Sequence, residues 1–274
     1  MISINTNYGG LYAAKAAQHS QGVMDKAMER LSTGKRINYA QDDAAGQAIA
    51  SRLAAEIQGM AVASRNAADG QSLLDTADGA LQESQSLLLR MRELAVQAGN
   101  GTMTSDDQAA LDKEFQALDD EVDRIATKTT WAGTNLLDQT GGATGVFEFQ
   151  VGVKASETIE VTIGDMTSAT LSIDSLDVTD ATNSNAAITA LDAAIKTVAT
   201  ERANLGAFSN RLESTVSNLG QIGVNLAASV GRIEDADFAK ETGNLAKGQI
   251  LQQAATAMLA QANASKQTVL TLIQ

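Results

Sequence analysis

Side chains that could hydrolyse a bond or hold a metal are scarce in this sequence, and those present are poorly spaced for it. His19 is the only histidine and there is no cysteine, so a two-histidine zinc motif and thiolate metal sites are excluded by residue type. His19 also lies in a charge-poor helical stretch, where a structural role outweighs a ligand role. Acidic neighbours occur at Asp106-Asp107 and Asp119-Asp120. Beside apolar helical seams they read as solvated faces or helix-start charges, not as an acid/base dyad. Gly141-Gly142 has neither the spacing nor the lysine of a phosphate loop. Asn100-Gly101-Thr102 and Asn263-Ala264-Ser265 match an N-glycosylation sequon, too short a pattern to make either a site. The expectation is no catalytic residue, no metal and no cofactor, and a net charge of −13 argues against nucleic acid as a partner.

The chemistry left is that of association. The 274 residues include no proline and only 3% aromatic residues against 44% hydrophobic ones, so any core is built from Ala, Leu, Ile, Val and Met. With the strongest helix breaker missing, long uninterrupted helices follow. Charge is unevenly placed: residues 1–24 carry only Lys15, and residues 238–274 carry Lys240, Lys247 and Lys266 against Glu241. The ends therefore hold +1 and +2, leaving −16 on residues 25–237. Charge-poor ends rich in Ala, Leu, Gln and Asn suit helix-on-helix burial. They are equally consistent with tails that are disordered alone and fold on association. No cleaved secretory signal is read at the N-terminus, and no stretch approaches the ~20 apolar residues of a membrane span, so no membrane partner is expected.

Apolar spacing places the elements. Ile188, Leu191, Ile195, Val198, Leu205, Leu212, Val216, Leu219, Leu226, Val230 and Ile233 recur at alternating steps of three and four, interrupted at Arg202, Ser209 and Gly223. Such a seam marks a coiled coil or long bundle helix, a rod of roughly 70 Å at ~1.5 Å per residue. A shorter seam runs through Leu111, Phe115, Leu118, Val122 and Ile125, with Ser105 and Gln108 at capping-box spacing. Residues 43–98 carry two apolar stripes, Leu53 to Leu88 and Leu73 to Leu94, which call for two packing partners. Residues 98–102, rich in Gly and Asn, make a helical hairpin of this segment and the next.

Between 129 and 183 the composition shifts to Thr, Gly, Asp and Val. Alternation around Phe147, Phe149 and Val151, then at Ile159, Val161 and Ile163, predicts a β-hairpin turning over residues 152–157, with Leu171 and Ile173 as a further short strand. At the ends, Gly248, Ala255, Ala262 and Val269 recur every seven residues, as do Leu251, Met258, Ser265 and Leu272. Ala17, Met24, Met28 and Leu31 share a face, with Ile4 and Leu11 upstream. Small residues permit close approach, so the two terminal helices should pair with each other and with neighbouring copies. Leu11, Met24, Met28, Leu31, Leu251, Met258, Val269 and Leu272 are the expected assembly seam. The fold class is mainly α: a long coiled-coil or helical-bundle rod, paired terminal helices and a small β-hairpin insert.

One stretch is more specific than any periodicity. Leu31-Ser32-Thr33-Gly34-Lys35-Arg36-Ile37-Asn38, followed by Asp42-Asp43-Ala44-Ala45-Gly46, resembles the N-terminal signature of bacterial flagellin. Physically it reads as a helix end, a glycine elbow with a basic pair, and an acidic helix start that Asp42 could cap. The resemblance continues through Ser64-Arg65-Asn66-Ala67-Ala68-Asp69-Gly70 and Arg92-Glu93-Leu94-Ala95-Val96-Gln97-Ala98, and resumes at Arg232-Ile233-Glu234-Asp235-Ala236-Asp237. It spans about residues 1–130 and 188–274. Trp131-Ala132-Gly133 stands where the family often has Phe-Asn-Gly, keeping the aromatic and losing the amide.

The resemblance implies a structural subunit that polymerises into the flagellar filament, in a short form without large outer domains. Implied domains are residues 1–42 with 234–274 as the inner filament core, 43–130 with 185–233 as the rod, and 131–184 as the insert. Implied partners are further copies of the chain, the flagellar type III export apparatus and its chaperone, and the filament cap and hook-junction proteins. The implied location is the extracellular bacterial flagellum. Arg90, Leu94 and Glu114 resemble the family's contacts with the host Toll-like receptor that senses flagellin, and would also serve lateral packing. A hook-filament junction protein would share the terminal helices but usually carries proline in the Asp-Asp motif, which is absent from Ala40-Gln41-Asp42-Asp43. A cytoplasmic coiled-coil adaptor would explain the heptads but not both terminal signatures.

Overall fold

The computed structural model describes residues 6–271, and their side chains as far as Lys266. Among these residues lie five helices, α1 (Tyr8–Thr33), α2 (Ala44–Ala98), α3 (Ser105–Lys128), α4 (Ala181–Glu234) and α5 (Phe238–Thr271). Two small antiparallel pairs join them, β1 (Thr130–Trp131) with β2 (Thr134–Asn135), and β3 (Val146–Gln150) with β4 (Thr158–Thr162). Side-chain oxygens cap the helix starts, as orphan amides require. Asn7 accepts from Gly10 N at 3.1 Å, Asp43 from Gly46 N at 2.9 Å, and Asp180 from Thr182 and Asn183 N at 2.7 Å. Two expected caps shift by one residue. Asp43, not Asp42, caps α2, and the capping box of α3 is Thr104 with Asp107, not Ser105 with Gln108. Gln108 instead donates to the carbonyl of Ala98 at 2.9 Å and closes the end of α2.

The chain separates into two compact units. Residues 58–223 form a bundle of α2, α3 and α4 with both β pairs. Described residues up to 57, together with those from 224 onward, form the other. The divisions fall within the continuous helices α2 and α4, whereas the chain leaves helix at the elbows next to Ala44 and Glu234. The insert is also no separate layer. Phe147, Ile159, Val161 and Ile163 are buried in one core with Leu74, Leu81, Leu88, Phe115, Leu191 and Leu205. Gly70 of α2 admits the hairpin, since a Cβ there would come 3.1 Å from the Phe149 ring, and Asn66 donates to the Gln150 carbonyl at 2.9 Å.

Every expected seam position of α4 is buried or half-buried. The Arg202 interruption is accommodated by a pair with Asp78 at 2.8 Å and a bond to Gln85 at 2.9 Å. Leu171 and Ile173 are buried as expected of apolar residues, but in turns, not in a strand. The β1–β2 hairpin was not expected, because two-residue strands leave no alternation to read. Its loop residues Ala132 (φ 48°) and Gly133 (φ 84°) both take left-handed conformations, the requirement of a type I′ turn.

Candidate assembly surface

α1 and α5 pack along their length through small side chains. Met24 lies over Gly248, where an added Cβ would come within 3.3 Å, and Ala262 faces Gly9. Ala13, Ser20, Ala27 and Ala255 are buried between them. Polar bonds fix the register at intervals: Asn7 to Asn263 at 3.2 Å, Gln252 to Gln21 at 2.7 Å, and Arg30 to Glu241 at 2.9 Å. Burial of Glu241 opposes its ionisation, but hydrogen bonds from Asn244 and Arg30, with the charge of Arg30, outweigh it. Its carboxyl is held below the usual range.

Because the small residues are used against each other, the large ones are left outside. Leu11 is 62% exposed, Met28 48%, Leu251 44% and Met258 63%. Met24 and Leu31 are half-buried. The side chain of Val269, and Leu272 and Ile4 altogether, lie outside the described residues. Tyr12, Ala13, Ala16, Leu251, Ala254 and Met258 line an open apolar groove of about 480 Å³ between the two helices. The hydroxyl of Ser20 at its floor is turned back to the Ala16 carbonyl at 2.9 Å. His19 is exposed on α1. This surface can bind apolar helices, and nothing in it activates a nucleophile.

The sequence reading missed Tyr8, Tyr12, Val23 and Ile250, which widen the exposed apolar face. A signal existed for the tyrosines, since aromatic residues are rare in the chain and all three tyrosines prove exposed. The Arg30–Glu241 pair was also missed, although Glu241 stands out as the lone acid after residue 237.

The two elbows that join these helices to α2 and α4 are bonded together. Gly34 ends α1 in a left-handed conformation (φ 71°), and Ala236 N donates to its carbonyl at 2.9 Å. Arg36 N donates to the Glu234 carbonyl at 2.5 Å, the Arg36 guanidinium to the Ile233 carbonyl at 2.6 Å, and Lys35 pairs with Glu234 at 2.7 Å. Asp42 is bound by Lys26, then by the backbone amides of Asn38 and Tyr39, which together bring its pKa down to about 2 despite desolvation. The basic pair of the motif thus ties one elbow to the other, while Asp42 braces the first elbow from within.

A second candidate lies on the α2–α3 hairpin. Arg90 bonds Glu114 through Nε at 3.0 Å and Nη2 at 2.8 Å, and also Glu93 at 3.0 Å. These bonds, Glu114 foremost, raise the pKa of the Arg90 guanidinium. Leu94 does not join them: it is 1% exposed and belongs to the core. Its place in the stripe Leu87, Met91, Leu94 turns it inward, and it offers no side chain to a partner of the folded chain. Leu89 is the exposed apolar neighbour of Arg90.

Residues 4–141 match the model of the bacterial flagellin N-terminal helical region, and residues 188–273 that of the bacterial flagellin C-terminal helical region. A flagellin of Halalkalibacterium halodurans is 45% identical over 273 residues, covering 99% of each chain. A flagellin of Bacillus subtilis is 42% identical over 305 residues, covering 100% of both. Among solved structures, Bacillus cereus flagellin shares 38% identity with a TM-score of 0.52, covering 61% of this chain and 94% of that one.

Proposed function

The chain belongs to the bacterial flagellin family and is a structural subunit of the flagellar filament, and on that premise we propose that it polymerises through the outward apolar face of α1 and α5. The observation that carries this is the inversion in the terminal pair: glycine and alanine are buried while Leu11, Met28, Leu251 and Met258 stand in water. Each large side chain left exposed forgoes roughly 1.5–3 kcal/mol of burial, which contact with neighbouring copies recovers. Val269 and Leu272 continue the same heptads and belong to the same seam. The protein acts by assembly, transmitting motor torque for swimming, and performs no catalysis.

The remaining roles follow from the same reading. The subunit leaves the cell through the flagellar export apparatus with its chaperone, works in the extracellular filament, and meets the cap and hook-junction proteins at the filament's ends. The exposed Arg90–Glu114 pair serves lateral packing, and in released monomers it is a contact for the host Toll-like receptor. The test of the central reading is seeded polymerisation followed by sedimentation and electron microscopy. Leu251→Glu and Met258→Glu should abolish filaments while circular dichroism stays unchanged. Normal filaments from both variants would place the assembly contact elsewhere.

A further inference from the structure

The connection between α2 and α3 holds the single Asn-Gly pair of the sequence, Asn100-Gly101; every other asparagine precedes a residue with a side chain. We infer that Asn100 is a site of spontaneous, water-consuming deamidation of the native protein. In this reaction the backbone nitrogen of Gly101 attacks Cγ of Asn100. The Cγ–Nδ2 bond of the asparagine breaks, and ammonia leaves with the proton given up by the Gly101 nitrogen. The five-membered imide is then opened by water at either carbonyl, giving aspartate or isoaspartate. One water is consumed, one ammonia is released, and no oxidant or enzyme is required.

The local geometry favours each element of that step. Asn100 and Gly101 are both exposed, so water reaches the imide. Thr102 N donates to Asn100 Oδ1 at 3.4 Å, which polarises the carbonyl under attack. The Gly101 nitrogen serves no backbone bond of the turn, whose hydrogen bonds run from Asn100 N to Gln97 O at 3.2 Å and from Met103 N to Asn100 O at 3.0 Å. Two other asparagines outside the helices, Asn38 in an elbow and Asn135 in β2, are held differently. The nitrogen after Asn38 donates to Asp42 at 3.3 Å, and that after Asn135 donates to the Thr129 carbonyl at 3.1 Å. Asparagines inside helices have their following nitrogens engaged in the helix ladder. Selectivity for position 100 therefore comes from both the glycine and the unengaged nitrogen.

The product matters to this connection. A carboxylate at 100 stands just past the carbonyl end of α2, where negative charge is disfavoured. Isoaspartate also adds a methylene to the backbone of the hairpin that carries Arg90 and Glu114. The subunit thereby carries a chemical record of its age at one position.

The test is incubation of the purified full-length protein in mildly alkaline buffer, with peptide mapping by mass spectrometry against time. Acid should appear at position 100 as a mixture with isoaspartate, at a rate within a few-fold of the urea-unfolded protein, while Asn38 and Asn135 keep their amides. Gly101→Ala is the matched control. An added Cβ meets nothing within 4 Å and the glycine is not in a left-handed conformation, so the variant folds. It should deamidate at 100 at roughly one-tenth of the rate or less, because the methyl restricts the backbone at the attacking nitrogen. Retention of the amide in the native protein alone, an unchanged rate in Gly101→Ala, or aspartate without isoaspartate would each overturn the inference.

Discussion

In the bundle of residues 58–223, leucine and phenylalanine point inward: Leu74, Leu81, Leu88, Phe115, Leu191, Leu205 and Leu212 are all buried. In the terminal pair the buried positions belong to Gly10, Ala13, Ser20, Ala27, Gly248 and Ala255, and Leu11, Met28, Leu251 and Met258 face solvent. Both regions draw on the same helix-forming residues at similar spacing. The difference is which stripe each helix spends on its partner within the molecule. A bundle that buries its large side chains is complete alone, whereas a pair closed by small ones keeps its driving force for another molecule. One polypeptide thus combines a bundle closed over its large side chains with a helix pair that leaves an apolar face exposed, the face proposed above for assembly.

The sharpest way to break this contrast is to place the same charge in both stripes. Leu212→Asp buries an unpaired carboxylate in the bundle and should cost on the order of 3–5 kcal/mol, visible as a large fall in the denaturation midpoint. Met258→Asp should change monomer stability by less than about 0.5 kcal/mol, yet stop polymerisation. Thr182→Asp, exposed in the first turn of α4, serves as the silent control. If Leu212→Asp and Thr182→Asp melt together, the α4 seam is misread.

A smaller effect distinguishes acids within the two regions. Glu241, in the terminal pair, has its partner Arg30 at 2.9 Å. Asp119, in the bundle, is 8% exposed with Oδ1 unpartnered. Burial first, then the charges of Asp120, Asp174 and Asp123, raises its pKa to about 6 from an ordinary 3.8. The folded state therefore disfavours the ionised form. The deficit is full above pH ~6, shrinks as pH falls, and is gone below the unfolded value. Stability through this group should rise by about 1–3 kcal/mol between pH 7 and pH 4.5, a trend opposite to that of Glu241, whose lowered pKa contributes stability that is lost on acidification. Asp119→Asn should be the more stable protein at pH 7 and lose the upward trend. A wild-type midpoint for the bundle that falls monotonically from pH 7 to 4.5, unaltered by the substitution, would sink the assignment.

Much of this was legible in the sequence, and the losses have specific causes. The α4 seam and the α2 stripes read correctly because large side chains at helical spacing leave one solution when a partner helix exists in the same molecule. In the terminal pair the same logic names two candidate stripes, and periodicity alone does not say which of them, Gly248-Ala255 or Leu251-Met258, meets α1. Close helix approach decides that, and it favours the small stripe. Leu94 was read from a family likeness as a contact although its own stripe pointed inward. The caps of α2 and α3 slipped by one because Asp42-Asp43 and Thr104-Ser105 offer adjacent candidates of similar chemistry. Lys26 and two elbow amides claim Asp42, which leaves Asp43 for the helix.

The smallest expected effect lies at the β1–β2 turn, where the sequence departs from the common family pattern. Ala132 holds φ 48° and Gly133 φ 84° across a two-residue loop between Trp131 and Thr134. A left-handed alanine costs roughly 1 kcal/mol through contact of its Cβ with the backbone, a cost that asparagine partly escapes by bonding its own backbone. Asn-Gly is accordingly the preferred pair for this turn. Ala132→Asn should stabilise the bundle by about 0.5–1 kcal/mol, with the Trp131 fluorescence maximum unchanged because the ring keeps its packing against the core. Ala132→Val, β-branched at the same angle, should destabilise by more than Asn stabilises. The terminal pair has no share in this turn, so filament assembly should respond to neither change. If the asparagine variant melts below the wild type, the loop does not hold the left-handed geometry in solution.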